Sequence, residues 1–227
     1  MTQPTDRADR ILDAAAELMV RLGYRKVTID DIARRAGIGK GTVYLHWRTK
    51  KELFQALLMR ESIAMTEQLQ AAIDRDPQEI RMHRFVRTAY LLTMRSPLLA
   101  ALLLRDTDVL GDLDHAQRSE DALVNERFYR LLVERGMLRD LPDLQFAVEA
   151  AVLGHYVIDT FTSHHQLELE AKADSLARTV RAAFEPEDEP DPAAVARTAT
   201  EISALMRDLT DGYRKWIYGS DPTRGTR

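Results

Sequence analysis

The chain contains no cysteine. Disulfides, thiolate-bound metals and thiol nucleophiles are excluded, and a reducing cytoplasmic setting is the compartment this composition fits. Long hydrophobic runs are missing too. The longest purely apolar stretch, Leu98 to Leu104, falls far short of the roughly 20 residues that cross a bilayer. The opening MTQPTDRADR is too polar for a secretory leader, so no membrane partner is expected. Alternating β-branched segments bounded by turns are absent, and nothing in the chain reads as a strand. No nucleophile triad, phosphate loop or metal-spaced cluster is visible. Catalytic residues, metal ligands and cofactors are therefore expected to be none, and an all-α enzyme is the least supported function.

What the chain does have is 227 residues, 45% hydrophobic and 30% charged, enough for a real core in one or two domains. Its formal charge of −4 is unevenly placed. Residues 1–50 hold ten Lys/Arg against six Asp/Glu, and the remainder twenty-two against thirty. A basic head on an acidic body meets a polyanion head first.

The most informative stretch is residues 28–50, TIDDIARRAGIGKGTVYLHWRTK. Before it, Ile11, Ala15, Leu18 and Leu22 recur at steps of three and four, predicting a helix from about Asp6 to Leu22 that Gly23 ends. Thr28-Ile29-Asp30-Asp31 resembles a capping box and opens a second helix. Ile29, Ile32, Ala33 and Ala36 form its inner stripe, and Gly37 stops it. A third helix covers roughly Lys40 to Trp47, with Val43 and Trp47 inward beside Ile38 and the remaining side chains facing out. Thr49-Lys50-Lys51-Glu52 is a second capping box, launching a long helix to about Asp74 with Leu53 and Leu57 inward. Two short helices around a glycine-rich turn, the second carrying Lys40, Thr42, Tyr44 and His46, describe a helix-turn-helix, which places one helix in a DNA major groove.

The rest reads as an array of helices: Pro77 to Arg95, one opening at Ser96-Pro97, His115 to Arg135, Pro142 to about Ser163, 168–184 and 192–218. The acidic, proline-rich EPEDEPDP between the last two reads as a solvated hinge over Glu185 to Asp191. Residues 219–227 read as a flexible tail.

Residues 6–53 resemble the DNA-binding domain of the tetracycline-repressor (TetR) family of bacterial transcriptional regulators. The Gly-Tyr before the second helix, T-x-x-x-I-A, A-G, K-G-T-x-Y-x-H-aromatic and K-x-E-L carry the likeness, about a dozen positions at fixed spacing. The resemblance implies an all-α chain: an N-terminal three-helix helix-turn-helix domain (1–50, motif 28–47) joined to a larger helical effector-binding and dimerisation domain (51–218). By that likeness Thr28 contacts phosphate. Lys40, Gly41, Thr42, Tyr44, Leu45 and His46 meet bases or backbone, and Lys50 grips phosphate. Two departures matter. Gly39 stands where Ser or Thr is common, which keeps an acceptable cap but loses one contact. Trp47 replaces the usual Phe in the same packing role.

The function implied is a sequence-specific regulator, a repressor released from a palindromic operator in double-stranded DNA by a small-molecule effector. A regulator without an effector, or an activator, is the alternative. A homodimer is expected because palindromic half-sites need a two-fold partner. Its interface is expected on Ala147, Ala151, Gly154 and Ile158 of one helix and Ile202, Leu205, Leu209 and Tyr213 of the last. An apolar pocket is expected beside the fourth helix, near Leu57, Ile63 or Leu69. Tyr90, His155 and Asp159 are its candidate polar groups. His155 and Asp159 share a helix face, a pattern that more often serves a hydrogen-bonded spot in a core or at a subunit contact. His164-His165 reads as a helix cap sooner than a metal site. Arg34 and Arg35 read as a solvated face.

Overall fold

A computed structural model describes residues 4–104, 115–162 and 167–218, with side chains described for 7–100, 123–162 and 167–218. The described residues form helices and their connections, with no strand. The head comprises α1 (Pro4–Leu22), α2 (Ile29–Ala36) and α3 (Lys40–His46). The long α4 (Lys50–Arg75) leads to a 3-10 turn at Pro77–Ile80 and α5 (Met82–Arg95). Then follow α6 (Pro97–Leu104), α7 (His115–Glu134), α8 (Leu144–Phe161), α9 (Leu169–Phe184) and α10 (Pro192–Tyr218). His164, His165 and the tail 219–227 lie outside the described residues.

Local chemistry sets the head's boundaries. The Thr28 hydroxyl accepts from Asp31 N–H at 3.2 Å, while the Asp31 carboxylate accepts from Thr28 N–H at 3.2 Å. Such a cap is worth about 1 kcal/mol. At the far end of α2, Gly37 takes φ 66°, a left-handed conformation that suits glycine. Its N–H reaches the Arg34 carbonyl at 3.2 Å, and that of Ile38 reaches Ala33 at 3.0 Å, which closes the helix end. Thr49 caps α4 by accepting from Glu52 N–H at 3.0 Å.

Two apolar cores result. The first gathers Ile11, Leu12, Ala15, Leu18 and Met19 of α1 around Ile32, Val43 and Trp47. It does not stop at the head: Leu53, Phe54, Leu57 and Ile63 of α4 belong to it, as do Tyr213 and Ile217 from the end of α10. The second core holds Ile80, Met82, Tyr90, Leu132, Val148, Leu176, Val180, Val195 and Ile202. There α9 packs along α5, and α10 along α4. At about 39 Å by its 26 residues, α4 spans both cores.

Polar contacts fasten the chain's end to its beginning. Tyr218 donates to Asp9 at 2.6 Å, and Arg60 of α4 donates to Asp13 at 2.8 Å. Burial and then Asp9 raise the Tyr218 phenol to about 12.

The fold corrects two expectations. The Glu185–Asp191 segment is not a solvated hinge throughout. Glu185 is 4% exposed. It accepts from Arg81 at 3.1 Å, from His83 N–H at 2.8 Å, and faces His83 Nδ1 at 2.8 Å. Glu189 bonds Arg81 and Arg181, so the acidic run is drawn onto a cationic seat at the start of α5. The second correction concerns α10. Ile202 and Tyr213 are buried within the chain, and Leu205 and Leu209 half-buried, because that face packs on α4 and the cores. Of the four, only Leu205 and Leu209 keep appreciable exposure for a partner. On α8 the exposed apolar stripe instead runs through Phe146, Leu153, Ile158 and Phe161, with Gly154 exposed beside it. Ala147 and Ala151 are half-buried.

Candidate nucleic-acid interface and body clefts

With seven residues, α3 is too short to be stable alone and depends on what holds it. Val43 is 0% and Trp47 3% exposed, and both plug into the head core. That anchoring turns the other face outward. Lys40, Gly41, Tyr44 and Leu45 are exposed, and Thr42 and His46 half-buried. Leu45 is 85% exposed, an apolar side chain offered to solvent in an otherwise well-packed head. A cation, a hydroxyl, a phenol and a leucine side by side match the mixture of acceptors and thymine methyls on a major-groove floor.

Charge on this face is partly engaged already. Lys40 donates to Asp30 at 2.7 Å, and that hydrogen bond raises its pKa, so it stays cationic. Arg34 pairs with Asp31 at 3.4 Å and Arg35 with Glu17, both on the exposed face expected for them. Desolvation, then the charge of Arg7, lowers the pKa of His46, which favours the neutral ring near pH 7.

Lys50 has a setting that the sequence did not suggest. Its ammonium donates to the Tyr24 carbonyl at 2.5 Å and lies 4.3 Å from the centroid of the Tyr24 ring. Tyr24 in turn meets Phe54 edge-on at 4.9 Å. Burial lowers the Lys50 pKa. This contact ties the turn before α2 to the first turn of α4. The only sequence sign was the Gly23-Tyr24 pair, whose partner lies 26 residues on.

In the body the three candidate residues do not converge. Tyr90 is fully buried, donates to the His155 carbonyl at 3.4 Å and stacks on Tyr156 at 4.9 Å. His155 and Asp159 line an open cleft of about 220 Å³ with Ile158, Leu167, Lys172 and Ser175. His155 Nδ1 lies 2.8 Å from the Ala151 carbonyl, and Asp159 pairs with Lys172. A second, more apolar groove of about 280 Å³ lies between α5, α7 and α8, lined by Met82, Phe85, Val86, Phe128, Tyr129 and Tyr156 among others. Nothing in the sequence singles out Phe128 and Tyr129, because an aromatic at helical spacing looks the same in a core and on a groove wall. Neither of these two clefts is lined by α4; a cleft that α4 does border, about 250 Å³ between Thr66, Glu67 and Gln70 and Met206, Thr210 and Arg214, is open and holds none of the expected residues. Leu57, Ile63 and Leu69, expected to touch a ligand, are 0%, 7% and 4% exposed and sealed in packing. Among the described residues no group of three potential ligands could hold a metal, and no helix is long and apolar enough to cross a membrane.

Residues 11–57 match the family model of bacterial regulatory proteins, tetR family. An HTH-type transcriptional regulator of Pseudomonas putida, SrpR, is 49% identical over 49 residues, 22% of this chain and 23% of that protein. The aligned part of such curated relatives amounts to between 23% and 48% of their own length. The fold extends the likeness. The fatty acid degradation regulator FadR from Bacillus halodurans superposes with a TM-score of 0.62 at 16% identity, covering 81% of this chain and 97% of that one. AibR, solved with isovaleryl coenzyme A and operator DNA, superposes with a TM-score of 0.51 at 21% identity, covering 76% of this chain and 97% of that one.

Proposed function

We propose that this chain, whose residues 11–57 are a DNA-binding domain of the tetR family, acts as a whole as a ligand-responsive transcriptional regulator. It binds a palindromic operator as a homodimer in the cytoplasm and releases it when a small molecule occupies the body. The single observation that carries the reading is α3: a short helix pinned by Val43 and Trp47, with Lys40, Gly41, Tyr44 and Leu45 turned to solvent. In this reading Tyr44, Leu45, Thr42 and His46 meet base edges, while Thr28, Lys40, Gly41 and Lys50 meet the phosphate backbone. The dimer is supported by α8, where Phe146 is 73% and Phe161 80% exposed. Two heads so joined read half-sites about 34–36 Å apart or a little more.

Release requires different ligand affinities for the operator-bound and free arrangements. A coupling of about 1.4 kcal/mol weakens operator binding tenfold. The route starts at α5, which borders the apolar groove and packs on α4, and α4 begins at the head.

Fluorescence anisotropy against DNA from upstream of the chain's own gene tests the reading. Saturable binding that exceeds a scrambled duplex by 10³-fold or more, and falls steeply with salt, is the expected result. Equal affinity for the scrambled duplex overturns it.

A further inference from the structure

Among its described lining residues, the groove between α5, α7 and α8 carries one sign of charge. Four rings border it: Phe85, Phe128, Tyr129 and Tyr156. Phe85 and Phe128 lie 4.9 Å apart at 43°, and Phe128 and Tyr129 6.1 Å apart at 74°, a tilted and an edge-on pair in one aromatic cluster. Glu149 is the charged residue in the lining, and it is exposed. Its carboxylate accepts from Asn125 at 3.3 Å and from Gln145 at 2.9 Å, both neutral amides. Among the described residues no Lys, Arg or His pairs with Glu149, and none lines the groove. Asp159 in the neighbouring cleft differs, since Lys172 neutralises it. Burial, then the Glu149 charge, raises the Tyr129 phenol above the ordinary tyrosine range, so Tyr129 is a neutral hydrogen-bonding group.

A carboxylate with no cationic partner among the described residues, in a wall that also holds four aromatic rings, attracts a cation by its charge, and the ring quadrupoles add to it. An anion meets the opposite: repulsion from Glu149 and no counter-charge among the described residues of the wall. We propose that this groove binds a small organic cation with an apolar body, its ammonium at Glu149 and its body against Phe85, Phe128 and Met82. The inference names the effector class and rests on the effector-responsive reading above.

Isothermal titration with three probes of the same ten-carbon chain, each below its micelle concentration, tests it: decyltrimethylammonium, decanol and decanoate. The cation binds about tenfold or more tighter than decanol, and decanoate is weakest. Glu149→Gln abolishes the preference for the cation and leaves decanol unchanged. Glu126→Gln, which neutralises a carboxylate outside the groove lining, leaves the preference intact. Equal affinity for the three probes overturns the inference, as does a cation preference that survives Glu149→Gln. The same probes are then added to a preformed operator complex. A Glu149-dependent cation that binds without releasing DNA upholds the ligand class and overturns the effector reading. Release by a different ligand, with no cation preference in titration, does the reverse.

Discussion

Both α3 and α8 carry apolar side chains into solvent, on opposite plans. α3 offers Leu45 between the polar Lys40, Thr42, Tyr44 and His46. α8 offers a stripe, Phe146, Leu153, Ile158 and Phe161, along 18 residues. A single exposed leucine among hydrogen-bonding groups suits base edges, which alternate polar atoms with a methyl. An extended apolar stripe suits another helix, because its stabilisation scales with the area removed from water. The size and neighbours of the patch, not its hydrophobicity, separate the proposed DNA-reading face from the proposed contact between copies.

The sharpest way to break this comparison is to remove the platform under α3. Trp47→Ala deletes an almost fully buried ring from the head core and should cost about 3–5 kcal/mol. Thermal melting should show a large loss, and operator binding should vanish with it. A variant that melts like the parent would mean that α3 is held by something other than its inward pair.

Next comes the cationic seat beneath the acidic linker, which tests the body alone. Burial favours the protonated Glu185 carboxyl, but the hydrogen bonds from His83 and the charge of Arg81 outweigh it and hold its pKa below the ordinary value. The folded value lies below the unfolded one. Stability is therefore fully present above the unfolded glutamate pKa near about 4.3 and is lost as pH falls through the folded value. Glu185→Gln should cost about 3 kcal/mol, the low end for breaking a buried pair, since Arg81 keeps Glu189. The acid limb of the stability profile should flatten in the same variant. An unchanged limb would show that other carboxylates set it.

Third, α8. Phe146→Asp combined with Phe161→Asp places two charges on the stripe and should raise the dimer dissociation constant about a hundredfold or more, near 2.7 kcal/mol. Sedimentation at micromolar concentration should show monomers whose head still melts normally. A dimer of parental strength would locate the contact elsewhere.

These regions differ in how far the sequence exposes them, for a physical reason. The head is written locally. Thr28 finds Asp31 three residues on, Gly37 ends α2 where it stands, and Val43 and Trp47 are one turn apart. The body is written across the fold. Arg81 and Glu185 are 104 residues apart, and EPEDEPDP looked solvated because nothing nearby announces its cations. Tyr90 and Phe128 both sit at helical spacing, yet one is sealed and the other borders a groove, a difference decided by what packs opposite. The apolar face of α10 was legible as apolar but not as already occupied by α4.

Fourth, Lys50 lies between local and distant signals, and its two possible roles can be separated. A phosphate contact predicts that Lys50→Ala reduces the slope of log affinity against log salt by about one unit. The Tyr24 contact predicts a loss of stability on the order of 1 kcal/mol, through the carbonyl hydrogen bond and the ring face. Both effects are expected together, because the ammonium can leave Tyr24 for a phosphate. A stability loss with an unchanged slope would make Lys50 a fastener of the head and nothing more.

The smallest effect sharpens the comparison most, because stability and function move in opposite directions. Gly41 sits in the first turn of α3, and a Cβ built there meets nothing within 4 Å. Nothing inside the chain requires glycine at this position. Gly41→Ala should therefore stabilise the head by up to about 0.5–1 kcal/mol, through helix propensity and a less disordered unfolded chain. If α3 approaches the DNA closely at Gly41, the added methyl should weaken operator affinity severalfold even as the melting temperature rises. On α8 the corresponding change, Gly154→Ala, also meets open space within the protomer. It should bring a similar gain in stability, leave operator contacts alone and act on dimer strength. A Gly41→Ala protein that is more stable and binds its operator as tightly as the parent would remove that residue from the interface.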